Sequence, residues 1–141
     1  MFTRQLCTFY LGDLFFGVDV RRVQEVIRYQ EMTRVPLAPP MMRGLINLRG
    51  QIVSAIDMRT RLGLPARDAS ELPMNVVVRS SDGAVSLLVD EIGDVLEVDE
   101  STVERPPETM TGAARELVRS VYKLPDRLLL VLDTEQVLNA A

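Results

Sequence analysis

Six carboxylates fall within eleven residues, at Asp90, Glu91, Asp94, Glu97, Asp99 and Glu100, the densest run of reactive side chains in the sequence. A metal site or a general acid/base pair would need several of them to converge in one cleft. The interleaved Val95, Leu96 and Val98 instead lay them along a loop and a strand, where acidic side chains are solvated and discourage edge-to-edge pairing. The sequence contains no histidine, which removes Ser-His-Asp and Cys-His catalysis and His-ligated metals. Cys7 has no second cysteine to pair with, and within Leu6-Cys7-Thr8-Phe9-Tyr10-Leu11 it reads as a small buried hydrophobe. Neither a GxxxxGK nor a GxGxxG loop occurs, so phosphoryl transfer has no visible machinery. No catalytic residue, metal or cofactor is expected.

Two other groups suit recognition better than reaction. Val20, Val23, Val26 and Ile27 recur at helical spacing, bounded by Arg21, Arg22, Glu25 and Arg28. Most such stripes are core, but a narrow apolar strip flanked by charge also fits a shallow groove that receives a partner helix. In Asn47-Leu48-Arg49-Gly50, turn chemistry accounts for Asn47 and Gly50 and leaves Arg49 to explain. Its guanidinium could meet a partner carboxylate, or pin Glu25 if the fold brings the two together.

The elements that must position these groups come from a chain of 141 residues, 47% hydrophobic and 26% charged, enough for one globular domain over residues 1–141. A net charge of −4 leaves nucleic acid a poor partner, because any phosphate-neutralising surface would have to be a local patch. No secretory signal or bilayer-length apolar run is present, so a cytoplasmic protein without direct membrane insertion is expected. Leu6–Leu11 and Leu14–Val18, parted by Gly12-Asp13, read as a hairpin. Asp19 then caps a helix predicted over Val20–Arg28. After the extended connector Val35–Pro40, a second hairpin runs from Gly44 to Asp57 around Arg49-Gly50, closed by a short helix over Met58–Leu62.

The second half repeats this order. Val76–Val78, the turn Ser81-Asp82-Gly83 and Val85–Val89 form a hairpin, Arg105-Pro106-Pro107 answers the first proline connector, and Leu124–Asp133 lies on Leu48–Asp57 without a gap. A C-terminal helix matches the one after Asp57. The expected fold is mainly β: two intertwined five-stranded barrels around a shared core, with short helices. The approximate lobes are 14–70 and 71–141, with the N-terminal strand crossing between them.

Phe9-Tyr10-Leu11-Gly12-Asp13, Phe16-Gly17-Val18-Asp19, Val23-Gln24-Glu25-Val26, Thr33-Arg34-Val35-Pro36, Arg43–Gly50 and Ile56-Asp57-Met58-Arg59 together resemble the chemotaxis coupling protein family, CheW. Leu88–Val95, Arg105-Pro106-Pro107-Glu108 and Leu124–Asp133 continue the resemblance across nearly the whole chain. Ser54 stands where the family often has proline, Arg28-Tyr29 where Gly-Tyr is common, and Pro125-Asp126 at a turn often made with glycine.

The resemblance implies two SH3-like barrels and no catalysis. It implies an adaptor that joins the signalling tips of methyl-accepting chemoreceptors to the regulatory domain of the histidine kinase CheA, recruited to membrane-associated receptor arrays, with other CheW-like domains as ring partners. Carried over by position, receptor contact maps to Val20, Val23, Glu25, Gly44, Arg49, Ile92 and Val95. Kinase contact maps to an exposed barrel end at Gly50, Gln51, Ile52 and Gly83.

Overall fold

The first two apolar runs pair antiparallel as β1 (Thr3–Leu11) and β2 (Leu14–Asp19), placing Phe9 opposite Phe16. The two rings stack with centroids 5.8 Å apart, and both are buried; burying a side chain of this size contributes roughly 1.5–3 kcal/mol. The chain continues through β3 (Val23–Ile27), β4 (Met42–Leu48), β5 (Gln51–Asp57) and α1 (Met58–Arg61). It then forms β6 (Met74–Ser80), β7 (Gly83–Val89), β8 (Glu91–Asp99), α2 (Gly112–Leu117), β9 (Val118–Lys123), β10 (Leu128–Leu132) and α3 (Thr134–Leu138). The computed structural model describes residues 2–81 and 83–139. Asp82, at the tip of an expected turn, and the chain ends Met1, Ala140 and Ala141 lie outside the described residues.

The helix expected over Val20–Arg28 does not form. Asp19 accepts the amide of Arg21 at 2.9 Å, but this caps only a 3-10 turn over Val20–Arg22 before the chain enters β3. Val23 lies opposite Val78, Glu25 opposite Val77 and Val26 opposite Val76, so one extra residue is inserted between Val23 and Glu25. That bulge puts residues three apart on the same face of a strand. The helical spacing of Val23 and Val26 is therefore the spacing of a bulged strand. Val20 precedes it in the 3-10 turn, and Ile27, expected on the same stripe, turns to the other face and packs with the Ile46, Val77 and Leu88 cluster.

Two five-stranded sheets result, ordered β8-β1-β2-β10-β9 and β3-β6-β7-β5-β4. Each takes a hairpin from one half of the chain and three strands from the other. The lobes are thus not residues 14–70 and 71–141: the whole first hairpin crosses, and β6–β7 crosses in return. Parallel pairings close both exchanges, with Leu130 opposite Phe16 and Ile56 opposite Leu87. Strand patterning is the same whichever half a hairpin joins, so only tertiary closure decides the exchange.

The internal repeat recurs at the connectors and helix caps. Thr33 and Leu45 exchange backbone hydrogen bonds of 2.9 and 2.8 Å, as Glu104 and Val121 do at 2.8 and 2.9 Å. Asp57 caps α1 by accepting the Arg59 amide at 3.0 Å, and Asp133 caps α3 by accepting the Gln136 amide at 3.3 Å. The helix expected over Met58–Leu62 and the one near the C-terminus both form, while α2 was not anticipated.

Three apolar clusters hold the fold. Leu6, Phe15, Tyr122 and Leu129 lie within the first sheet, and Ile46, Val53, Val77 and Leu88 within the second. Between them the largest cluster joins Cys7, Phe9 and Phe16 to Val76, Val78 and Leu87, with Met58 and Val137 supplied by α1 and α3. Burial, followed by the nearby Asp19 carboxylate, raises the Cys7 thiol pKa, as suits an inert core thiol. No helix among the described residues is long and apolar enough to cross a membrane.

Candidate partner-binding site

The bulge in β3 has a counterpart. On β8, Ile92 lies opposite Phe9 and Val95 opposite Cys7, with a register shift between those partners. Val78 and Val76 opposite β3, and Phe9 and Cys7 opposite β8, all belong to the shared core. Val23 and Ile92 are therefore equivalent positions on the two halves, as are Val26 and Val95. Both β3 and β8 are edge strands, so these side chains form a rim where the shared core meets solvent. Val20, Val23 and Ile92 pack against that core while staying partly exposed. Val95 and Val26 are 55% and 38% exposed. Val26, part of the sequence stripe but not among the candidate contacts, joins the rim through this equivalence.

Glu25 and Arg49 meet: the guanidinium forms an ion pair with the half-buried carboxylate while remaining mostly exposed itself. Arg49 (φ 51°) and Gly50 (φ 88°) are both left-handed, as a two-residue type I′ hairpin loop requires. Asn47 accepts the Gly50 amide at 2.9 Å, which fulfils the turn role read for it. Arginine is an uncommon choice at a left-handed position, and its tie to Glu25 supplies a reason for it. Gly44 behaves differently from the other candidates. It is buried on β4, and a Cβ there would stand 2.6 Å from the Thr33 carbonyl oxygen. It permits close packing of Met32-Thr33, just before the proline connector, and offers no surface.

Beside the rim, Asp19 takes two arginines, Arg21 at 2.9 Å and Arg4 at 3.3 Å. The Arg21 side chain does most to hold the Asp19 carboxyl at a pKa of about 2, against the opposing effect of its partial burial. Glu91, Asp94, Glu97 and Glu100 are exposed along and after β8, as a solvated acidic edge would be. Asp90 is not part of that edge. It accepts the Gly12 amide at 2.7 Å, Arg59 Nε at 2.9 Å and Arg67 Nε at 3.0 Å. Burial pushes its pKa up, but Arg59, Gly12 and Arg67 together outweigh that and hold it at about 2. Arg67 also approaches the buried Asp57 at 3.7 Å, and Arg43 reaches the same carboxylate at 3.1 Å. The network fastens the first hairpin turn to α1 and to the connector before β6.

A second surface lies at one end of the other sheet. Gln51, the 60% exposed Ile52 and Gly83 line one open depression, with Glu135, Gln136 and Leu138 contributed around α3. Gly50 is the turn residue next to Gln51, so all four barrel-end candidates fall in one region, and Arg49 stands between it and Glu25.

A family model described as CheW-like domain matches residues 5–141. The chemotaxis protein CheW of Bacillus subtilis is 31% identical over 135 residues, covering 96% of this chain and 86% of that protein. The chemotaxis protein CheW of Treponema pallidum is 30% identical over 142 residues, covering 96% and 82%. The crystal structure of the scaffolding protein TtCheW from Thermoanaerobacter tengcongensis superposes with a TM-score of 0.84 at 28% identity, over 94% of this chain and 90% of that one. Two exchanged β-sheets around a shared core, a family match over nearly all residues and relatives aligned along almost their full length lead to one conclusion: the chain belongs to the CheW family of chemotaxis proteins.

Proposed function

We propose that this protein is a non-catalytic adaptor that links the signalling tip of a chemoreceptor to the regulatory domain of the histidine kinase CheA. The observation that carries the reading is the presence of two distinct surfaces, one apolar and one mainly polar around the exposed Ile52. One is the rim of the shared core at Val20, Val23, Ile92 and Val95; the other is the barrel end around Ile52. The rim suits a helix laid across β3 and β8, its apolar residues meeting the four side chains and its polar flank meeting Glu25 and Arg49. The barrel end, with Gly50, Gln51, Ile52 and Gly83, takes the kinase domain. Cytoplasmic location, recruitment to receptor arrays and contact with other CheW-like domains in rings belong to the same proposal.

Isothermal titration with each partner fragment separately tests the assignment. Val95→Asp alters an exposed side chain and is expected to weaken the receptor fragment while sparing the kinase domain. Ile52→Asp is expected to do the reverse. If each substitution affects both partners equally, or neither, the assignment of surfaces is wrong.

A further inference from the structure

On a chain with net charge −4, arginines gather on one surface, interleaved with carboxylates. Arg4, Arg21, Arg22 and Arg119 line a single depression beside the 3-10 turn at Val20–Arg22, against the carboxylates of Asp19, Asp133 and Glu135. The acids are committed: Asp19 to Arg21 and Arg4, Glu135 to Arg22, and Asp133 to the first turn of α3. Arg79 adds to the cluster by donating to the backbone oxygens of Arg21 and Val23 at 3.1 and 3.0 Å, while Arg22 donates to the Arg79 oxygen. Arg119, exposed on the edge strand β9, has no carboxylate partner among the described residues. The Arg21 side chain is 82% exposed despite its contact with Asp19. Arg119 is thus left without an acid among the described residues, and Arg21, held to Asp19 through Nε at 3.2 Å and Nη2 at 2.9 Å, keeps its outer edge in solvent. Arg21 shares one depression with Arg119 and another with Val20, where the apolar rim begins.

We infer that Arg21 and Arg119 form a carboxylate-binding flank of the rim, selecting a partner helix that carries Asp or Glu beyond the residues it lays on Val20 and Val23. The inference rests on the helix-in-groove reading above. Arg119 can offer its planar fork to a carboxylate in a bidentate geometry, while Arg21, whose Nε and Nη2 hold Asp19, offers the remaining edge of its guanidinium. A protein helix fits better than a nucleic acid, because the chain's net charge of −4 opposes the approach of a continuous polyanion. Contacts of this kind at a wet rim act mainly on encounter and selectivity.

The test measures binding of the chemoreceptor signalling-tip fragment to the intact protein at about 50 and about 200 mM salt. Arg119→Glu and the pair Arg21→Gln/Arg119→Gln are expected to bind about tenfold more weakly at low salt, with a shallower salt dependence than wild type. Arg119→Lys is expected to recover part of the loss. Circular dichroism confirms folding, and Arg119→Glu, which breaks no ion pair, keeps the test valid if the double variant is unstable. Val95→Asp separates the two ideas. If Val95→Asp weakens binding while both arginine variants keep wild-type affinity and salt slope, the carboxylate flank is overturned and the groove stands. If Val95→Asp binds normally, or wild type does not bind the fragment, the groove reading fails and the flank fails with it.

Discussion

Replacing Asp90 with Asn keeps the shape of the side chain and removes its charge, at the point where the first hairpin turn, α1 and the connector before β6 converge. Arg59 and Arg67 both rely on this carboxylate, and the Arg67 side chain is only 5% exposed. After the substitution its nearest acid is Asp57, at 3.7 Å. Breaking a buried pair from one side costs about 3–5 kcal/mol because the other charge stays unpaired. Asp90 is itself 12% exposed and Arg59 17%, so solvent reduces the expected loss to about 2–3 kcal/mol. For a domain of this size that lowers Tm by roughly 6–12 °C. Urea denaturation of wild type and Asp90→Asn measures the loss directly. Adding Arg67→Met, which removes the stranded cation, is expected to return part of it, so the pair should be less than additive. A change under about 0.5 kcal/mol for Asp90→Asn, or full additivity with Arg67→Met, would refute the reasoning.

Acid titration should expose the same groups. Asp19 and Asp90 have folded pKa values of about 2, against an ordinary 3.8, so their stabilisation is complete above about pH 4 and is lost as pH falls from there towards 2. Denaturation midpoints should therefore drop across that window, and Asp90→Asn should flatten the drop; an unchanged profile in the variant would contradict the pairing described. Gly44→Ala is expected to destabilise the fold by about 1–3 kcal/mol, since its Cβ must displace the Thr33 carbonyl, with receptor binding per folded molecule unchanged. Wild-type thermal stability would show that the close approach has no consequence. Arg49→Asn supplies a residue that tolerates the left-handed turn while deleting the Glu25 pair. Its stability should stay within about 0.5 kcal/mol of wild type, while receptor affinity falls, and titration calorimetry that finds full affinity would count against a role for Arg49 at the rim.

The hairpins, the proline connectors and the two capping aspartates were legible because turn residues, alternating apolar runs and Asp before a short helix are local signals. Exchange of hairpins between the sheets was not, because β1–β2 and β6–β7 carry patterns that fit either half. The stripe at Val20, Val23, Val26 and Ile27 shows how a face can be read in part with the wrong element, since Ile27 packs on the opposite side. A bulge supplies the three-residue spacing that a helix would, so the shared surface survived the misreading and the secondary structure did not. The same spacing recurs at Ile92 and Val95, and comparing the two would have signalled matched bulges. Asp90 was grouped with its acidic neighbours because Arg59 and Arg67 lie far along the chain, and nothing local marks their convergence. Gly44 entered the receptor contacts only through the family resemblance, and a sequence does not display the Thr33 carbonyl that excludes a side chain there.

Bridging is tested most directly by sedimentation velocity on the intact protein mixed with the receptor signalling-tip fragment and the CheA regulatory domain together. Two separate surfaces predict a ternary species at saturating concentrations, lost with Val95→Asp on the receptor side and with Ile52→Asp on the kinase side. Displacement of the kinase domain by the receptor fragment, with only binary complexes at every ratio, would contradict the adaptor mechanism while leaving the fold intact.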